Sequence, residues 1–337
     1  MWLEAMKSRL QGVIVFKRKR IAMLALVAAW ITAPALATLL AAGLMQGERI
    51  SRPAISEQTS PLEPIAPVAS DGYRGEGFLR RPPGPGPFPV VVMIHGGLVT
   101  RPAEALQGYA LDVPYPSRFL AAGYAVAVIT YRSRDDDPQS RVSARDSLAA
   151  VNHARRLSYV DPKSVVVYGC SGGGDLALEV ATMTDVTALA AEEPAAVHFT
   201  GITDTNVPRS GLRFTPDDSS PILADPKRYY TTKYQTITRD KIGRIRSPIL
   251  IVQGDQHPLN RFNREVLIPE LQSAGKTLEV RTYPGEPHCF AFGSPPRAAQ
   301  AALKAFQDTD AFFRRHLNTQ PKPIEPTMIA HVPLGGQ

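Results

Sequence analysis

Ser171 stands in a short glycine-rich segment whose surroundings are typical of a nucleophile. The sequence G-C-S-G-G at 169–173 directly follows an apolar run ending at Tyr168 and precedes a helical segment at 175–183. Between a strand and a helix, the flanking glycines allow a turn tight enough to expose the serine oxygen. The alternative is a turn of small residues without chemistry, but this setting favours a reactive serine.

Cys170 is the other nucleophile that this segment offers. For a cysteine at the apex of the turn, a glycine is expected two residues earlier, and that position is Tyr168. Both flanking glycines fit Ser171 instead, so we expect Ser171 to be the nucleophile.

A serine hydroxyl is a poor nucleophile until a neighbouring base takes its proton, and His288 is the candidate base. It ends the sequence Y-P-G-E-P-H at 283–288, on a loop between the last predicted strand and the final helix. Of the seven histidines, only His288 combines this position with the chain order nucleophile, acid, base. The third group should be a carboxylate that orients the imidazole and stabilises its charged form. Asp255, directly after the predicted strand at 249–252, is the natural candidate.

Acyl transfer also needs N–H donors for the negative charge that develops on the carbonyl oxygen. His95, Gly96 and Gly97 follow the apolar strand at 90–94. We therefore expect the N–H of Gly97 or Gly96 to act together with that of Gly172. His95 is expected to be structural and not a second base.

The elements that must position these residues are short apolar strands alternating with helices. Strands are predicted at 90–94, 124–129, 164–168, 249–252 and 278–283, with helices around 264–274 and 296–317. The last helix is predicted to place one apolar face inward, formed by Ala299, Ala302, Leu303, Phe306 and Phe313. This alternation is typical of an α/β fold with a mostly parallel sheet covered by helices on both faces. Sites in such sheets lie at the carboxyl ends of the strands, where every motif above falls.

The first 45 residues have the layout of a signal peptide or an N-terminal membrane anchor. Residues 1–20 carry most of the formal net charge of +7, and the uncharged run at 21–45 follows. A-L-A at 35–37 fits a cleavage site, whereas the length of the run would also span a bilayer. Both outcomes place the rest of the chain outside the cytoplasm, as a periplasmic, secreted or membrane-attached domain.

The remaining chain divides into three predicted parts. Residues 46–70 are a proline-containing linker, and 71–317 form the α/β domain. Within it, 205–247 is polar and interrupts the alternation, which indicates a cap or insertion over the site. Residues 318–337 are predicted to be a disordered tail. With the net positive charge concentrated at the start and no aromatic-interleaved basic patch, nucleic-acid binding is not expected.

With these residues placed, the chain from about 71 to 317 resembles the α/β-hydrolase superfamily. It is most similar to the branch that holds dienelactone hydrolases, acetyl-xylan-type esterases and the catalytic domains of prolyl oligopeptidases. The matching elements are H-G-G at 95–97, G-C-S-G-G at 169–173, V-D-P at 160–162, G-D at 254–255 and Y-P-G-x-x-H at 283–288. The resemblance implies an α/β-hydrolase fold and a serine-histidine-acid triad, but no particular substrate.

The acid departs from the pattern of this branch, where it usually stands three residues after the glycine. That position is His257 here. Asp255 would serve through a shifted turn. The alternative acids are Glu193 and Glu192, before Pro194, because some hydrolases of this fold place the acid at the end of an earlier strand.

The only two cysteines flank the proposed nucleophile and base. Cys170 precedes Ser171 and Cys289 follows His288, so a serine and histidine within hydrogen-bond reach would bring the two sulfurs into disulfide range. Glucuronoyl esterases share this adjacency, and the chain resembles them at that point only. A disulfide is the hypothesis, and two buried thiols are the alternative.

These residues favour a serine hydrolase that cleaves carboxylic esters, acting on a small-molecule ester without cofactor or metal. An exported peptidase of the prolyl oligopeptidase type, acting on short peptides, is the second interpretation. A non-catalytic binding protein on the same fold is the third, and the departure at His257 is its only support. A metalloenzyme is disfavoured, since the sequence has no H-E-x-x-H and no C-x-x-C.

Overall fold

The computed structural model describes residues 61–97, 100–132, 141–202, 221–292 and 299–324. Within them, eight strands form one sheet: β1 (Glu63–Ile65), β2 (Gly77–Arg80), β3 (Phe88–Ile94), β4 (Ala125–Ile129), β5 (Val160–Cys170), β6 (Ala188–Glu192), β7 (Ile249–Gly254) and β8 (Leu278–Tyr283). The strand order is β1-β2-β4-β3-β5-β6-β7-β8. The pairs β1–β2 and β2–β4 are antiparallel, and all other pairs are parallel. The predicted α/β-hydrolase fold, with a mostly parallel sheet, is confirmed.

Helices connect these strands and cover the sheet. Those described are α1 (Ala103–Asp112), α2 (Pro114–Ala121), α3 (Arg141–Arg155), α4 (Gly172–Met183), α5 (Ala196–Phe199), α6 (Pro221–Ala224), α7 (Pro226–Tyr229), α8 (Thr232–Arg244), α9 (Pro258–Phe262), α10 (Ile268–Ser273) and α11 (Ala299–His316). A single π-helical turn, Asn263–Leu267, joins α9 to α10. The predicted cap contains α6 to α8, while residues 203–220 lie outside the described residues.

The central strands are apolar on both faces because helices cover both faces. In β3, Val90, Val92 and Ile94 pack in one core cluster with residues of α3 and α4. Val91 and Met93 face the other way and pack with residues of α1, α2 and α11. This alternation follows from the two-residue period of a strand. The result is a rigid sheet with its loops held at fixed positions.

The domain boundaries differ from the predicted ones. β1 falls inside the predicted linker 46–70, because Glu63–Ile65 adds an antiparallel edge strand to β2. At the other end, residues 318–324 of the predicted disordered tail pack on the domain. Asn318 and Thr319 both donate to the Asp161 carboxylate, and the Ile324 N–H donates to the Ala121 carbonyl. Residues 325–337 lie outside the described part of the chain.

Among the described residues, no helix has both the length and the apolar character needed to cross a membrane. The predicted export signal or anchor at 1–45 lies outside those residues. It therefore stays a prediction.

Candidate active site

Ser171 occupies the sharp turn between β5 and α4. Its backbone has φ 55° and ψ −117°, a conformation that L-residues rarely adopt, and its residue surface is 8% exposed. The glycines permit this turn by close backbone approach. A Cβ on Gly169 would overlap the Gly173 carbonyl, and a Cβ on Gly173 would overlap the carbonyl of Ile94. The predicted turn is therefore formed where the ends of β3 and β5 and the start of α4 lie in direct backbone contact.

The predicted oxyanion glycines lie beside this turn. A Cβ on Gly96 would stand 3.4 Å from the Cβ of Ser171, and a Cβ on Gly172 would overlap the Gly97 carbonyl oxygen. Gly97 itself has φ 89°, which a glycine adopts without strain. The Tyr131 hydroxyl donates to the Gly97 carbonyl at 2.7 Å and fixes that peptide. Gly96, Gly97 and Gly172 are thus brought together around Ser171.

His95 is held as a neutral ring below these glycines. Burial lowers the pKa of His95 to about 4. Its Nδ1 donates to the Gly96 carbonyl at 2.9 Å, and its Nε2 pairs with the Thr130 hydroxyl at 3.2 Å. The ring stacks on Tyr131 with centroids 4.6 Å apart. With both ring nitrogens engaged, His95 supports the loop and is not available as a base.

His288 is paired with Glu193. Its Nδ1 donates to Glu193 Oε2 at 2.5 Å, and the same oxygen accepts from the Cys289 N–H at 3.0 Å. Glu193 is fully buried and follows the last residue of β6. Its own N–H donates to the Val252 carbonyl, which ties it to β7. The carboxylate therefore fixes both the imidazole and the backbone that follows it.

Asp255, the first candidate for the acid, is placed elsewhere. Its side chain is exposed, and its Oδ1 accepts from the Gly285 N–H at 2.8 Å and from the Gln256 amide at 2.6 Å. These two contacts, the Gln256 amide first, lower the pKa of Asp255. Asp255 connects the loops after β7 and β8. The carboxylate that accepts the hydrogen bond from His288 Nδ1 belongs to Glu193, the alternative acid. The Nδ1 side of the His288 ring faces the end of β6 and not the end of β7.

Glu192, the other alternative acid, points to the opposite side of its strand. Its carboxylate accepts from the Tyr168 hydroxyl and, at 2.8 Å, from the Ala291 N–H. Burial raises the pKa of Glu192 to about 7. Successive glutamates thus hold the histidine loop at two points, Glu193 at Cys289 and Glu192 at Ala291.

Cys170 and Cys289 form a disulfide, with their Cα atoms 5.9 Å apart. The predicted bond therefore ties the nucleophile turn to the histidine loop. Strained backbone concentrates here as well. Among the described residues, the non-glycine residues with positive φ are Ser171, Glu193 and Cys289. Such backbone persists where surrounding contacts hold it, and it is common at active sites.

His257 is a site residue whose contact the sequence did not predict. Its ring stacks on His288 with centroids 4.1 Å apart and an interplanar angle of 21°. The only signal was its position, three residues after Gly254, where a carboxylate was expected. No group of three or more histidine, cysteine, aspartate or glutamate side chains suited to a metal occurs within the described ranges.

Comparison with known proteins shows the family to which this chain is similar. Residues 76–317 match the dienelactone hydrolase family. The chain belongs to that family. The match includes the nucleophile turn, both glutamates and the histidine loop. It is consistent with the superfamily that the motifs indicated.

Individual relatives are distant. The chain is 25% identical to mouse acyl-coenzyme A thioesterase 1 over 303 residues, covering 77% of this chain and 67% of the thioesterase. It is 26% identical to the mouse mitochondrial acyl-coenzyme A thioesterase 2, covering 75% of this chain but only 60% of that protein. Among solved structures, an esterase of Pyrobaculum calidifontis aligns with a TM-score of 0.57 at 20% identity, covering 75% of this chain and 85% of the esterase. That likeness concerns the fold.

Proposed function

We propose that this chain is an exported serine hydrolase that cleaves carboxylic esters through an acyl-enzyme at Ser171. His288 is the general base, and Glu193 is the acid that orients it. Family membership makes the chain a hydrolase. The observation that carries the finer assignment is the 2.5 Å hydrogen bond from His288 Nδ1 to the buried Glu193 carboxylate.

The pairing with Glu193 sets the tautomer of the base. A carboxylate oxygen only accepts, so the proton of neutral His288 lies on Nδ1 and Nε2 is left with a free electron pair. Nε2 is then the atom that takes the Ser171 proton as the serine oxygen attacks the ester carbonyl carbon. The new bond converts the carbonyl oxygen into an oxyanion.

The N–H groups of Gly97 or Gly96 and of Gly172 hold that oxyanion. One such donor is worth roughly 10²–10³ in kcat. His288 returns its proton to the leaving alkoxide as the ester bond breaks, and it then activates the water that releases the acyl group. While His288 is charged, the buried Glu193 carboxylate stabilises the imidazolium in a region of low dielectric.

Export is supported by two features of the chain. The apolar run at 21–45 follows the basic cluster at 17–20. The disulfide between Cys170 and Cys289 is a bond that persists in oxidising compartments. We therefore propose that the hydrolase domain works outside the cytoplasm, either released or attached to the membrane through 21–45.

Acyl thioesters are a second substrate class for the same site. The thioesterase relatives favour this class. A thioester carbonyl is attacked by the same serine and leaves the same oxyanion, so one set of residues serves both reactions. Ester and thioester probes with the same acyl group measure the preference directly.

The test is hydrolysis of p-nitrophenyl acetate by the full-length chain, purified without reducing agent. Ser171→Ala is expected to lower kcat by about 10⁵-fold or more. Ser147→Ala is the matched control, because Ser147 is equally buried but its hydroxyl donates within α3 to the Ser143 carbonyl. A Ser171→Ala variant that keeps its activity would refute the proposal.

A further inference from the structure

His257 contacts the face of the proposed base. The two imidazoles lie nearly parallel, with 4.1 Å between their centroids, and His257 is only 7% exposed. His288 is therefore contacted in two ways, by a hydrogen bond at its edge and by a ring against its face. Glu193 binds the edge of the ring at Nδ1, and His257 covers one face.

A local hydrogen bond fixes the His257 ring. His257 precedes the first residue of α9, and its Nδ1 accepts from the Leu259 N–H at 3.2 Å. An accepting Nδ1 carries no proton, so the proton of the neutral ring lies on Nε2. Burial, and secondarily the charge of His288, lowers the pKa of His257 to about 4. The ring is thus neutral at the pH where an ester hydrolase of this kind works.

Within the described residues, His288 is the group whose charge acts on the pKa of His257. Glu193 binds His288 at the Nδ1 edge and not at the face that His257 covers. Asp255, two residues earlier, is exposed and bound to Gly285 and Gln256. His257 therefore presents an uncharged surface to a ring that gains a positive charge in each reaction cycle.

The geometry shows why a second support is needed. A single hydrogen bond at Nδ1 fixes one atom of the imidazole but leaves the plane of the ring free to tilt about that contact. Any tilt moves Nε2, on the opposite side of the ring, away from the serine oxygen. A flat ring against the face removes that freedom. Stacked rings at this separation attract each other beyond the effect of the area that they bury.

We propose that His257 is a positioning residue that fixes the plane of the His288 imidazole through its ring face. The inference rests on the proposed function. A carboxylate in its place would act differently, because it would stabilise the imidazolium from the face and compete with Glu193 for the ring. With Glu193 already paired to Nδ1, position 257 needs an uncharged flat side chain.

Two variants separate the effect of the His257 ring face from that of its hydrogen bond with the Leu259 N–H. His257→Asn keeps a side-chain acceptor for the Leu259 N–H but removes the ring face, whereas His257→Phe keeps a ring face but removes the acceptor. We expect His257→Asn to retain stability and to lose kcat about tenfold or more with KM nearly unchanged. His257→Phe should keep kcat within a few fold and unfold at a lower urea concentration, because the Leu259 N–H loses its acceptor. His257→Tyr serves as the ring variant if His257→Phe does not fold.

A third variant tests how a negative charge at position 257 affects the His288 imidazolium. His257→Asp should move the acidic limb of the kcat/KM profile to higher pH by about one unit, because a carboxylate beside the ring favours the imidazolium. The assays use p-nitrophenyl acetate and the full-length chain. Wild-type kcat in His257→Asn, equal losses in the Asn and ring variants, or an unmoved profile in His257→Asp would each overturn the proposal. If Ser171→Ala is inactive while His257→Asn is fully active, the inference fails and the proposed function stands.

Discussion

Glu193 contacts His288 although the two strands that these residues follow are not neighbours in the sheet. Glu193 follows β6, His288 follows β8, and β7 lies between them. The positive φ of Glu193, 39°, turns its side chain toward the histidine loop, where one oxygen accepts from the ring and from the Cys289 N–H. The carboxylate that pairs with His288 thus follows β6, whereas the sequence favoured one after β7.

The first prediction concerns this carboxylate. Glu193→Gln can keep both hydrogen bonds with its amide oxygen, because the other carboxylate oxygen has no hydrogen-bond partner among the described residues. The variant loses only the charge opposite the imidazolium, so it should fold normally. We expect kcat for p-nitrophenyl acetate to fall by about 10⁴-fold, as when the acid of a serine-histidine-acid triad is neutralised.

Asp255→Asn is the matched control for that variant. The asparagine oxygen can still accept from the Gly285 N–H, so kcat should stay within a few fold of the wild-type value. The reverse result, with Asp255→Asn inactive and Glu193→Gln active, would show that the acid is Asp255 and that the turn after β7 rearranges during the reaction.

The second prediction concerns the disulfide, which closes a loop of 119 residues. Loss of a bridge over a loop of that length costs roughly 4–5 kcal/mol if the effect is entropic. The Cys170→Ala, Cys289→Ala double variant should therefore unfold at a lower denaturant concentration. It should also lose kcat, because both ends of the bridge adjoin proposed catalytic residues. Urea titration with a parallel esterase assay measures both effects.

Reductant supplies the control for the disulfide variant. Dithiothreitol should lower the stability of the wild type toward that of the double variant and leave the variant itself unchanged. Equal stability of oxidised wild type and double variant would contradict the prediction and limit the bridge to a local role.

The sequence predicted the central strands β3, β4, β5 and β7 because aliphatic residues dominate them, and it also predicted the edge strand β8. It gave no range for β6. That strand is Ala188–Glu192, with four alanine or leucine residues and a glutamate. Alanine is uncommon in strands, and the segment lacks the β-branched residues that mark a strand. Here small side chains suit a central strand whose end must lie close to Ser171. Glu192 and Glu193 were therefore named only as alternative acids, at the end of a strand whose range was not predicted.

The predicted buried face of α11 was correct only in part. Ala302 and Phe313 are buried on α11 as expected, whereas Leu303 is 44% exposed and Phe312 is fully buried in its place. A one-residue rotation of a helix face lies within the uncertainty of a periodic pattern. The disulfide could be predicted because Cys170 and Cys289 adjoin Ser171 and His288 in the chain, and Gly96 and Gly97 could be proposed because they directly follow a clearly apolar strand. The stacking of His257 could not be predicted, since it depends on how two loops approach.

The third prediction tests the glycine contact beside the nucleophile. Gly172→Ala places a methyl group against the Gly97 carbonyl, so the two loops must separate. We expect kcat to fall by about 10²-fold, because both proposed oxyanion donors move. Gly243→Ala is the matched control: Gly243 lies in α8 with nothing near its would-be Cβ, and alanine there should add up to about 1 kcal/mol of stability. A Gly172→Ala variant with wild-type kcat would contradict this prediction, because it would show that the two loops accommodate the methyl group without moving the N–H donors.

The fourth prediction concerns Glu192 and pH. Burial raises its pKa to about 7 from 4.5, so between these values the folded protein holds a proton that the unfolded chain has released. Raising the pH through this window therefore destabilises the folded state, by about 3 kcal/mol at most. Glu192→Gln does not titrate and escapes this loss. It should start less stable at pH 4.5, since its single oxygen cannot serve both Tyr168 and Ala291.

The comparison of the two proteins isolates the effect of Glu192 from all other titrating groups. The unfolding free energy of Glu192→Gln minus that of the wild type should rise steadily from pH 4.5 to 7.5, as measured by urea titration without reductant. Glu104→Gln, an exposed change on α1, should give a flat difference. A flat difference for Glu192→Gln would mean that Glu192 is already ionised in the folded protein at pH 4.5, with the Tyr168 hydroxyl and the Ala291 N–H stabilising its charge enough to offset burial.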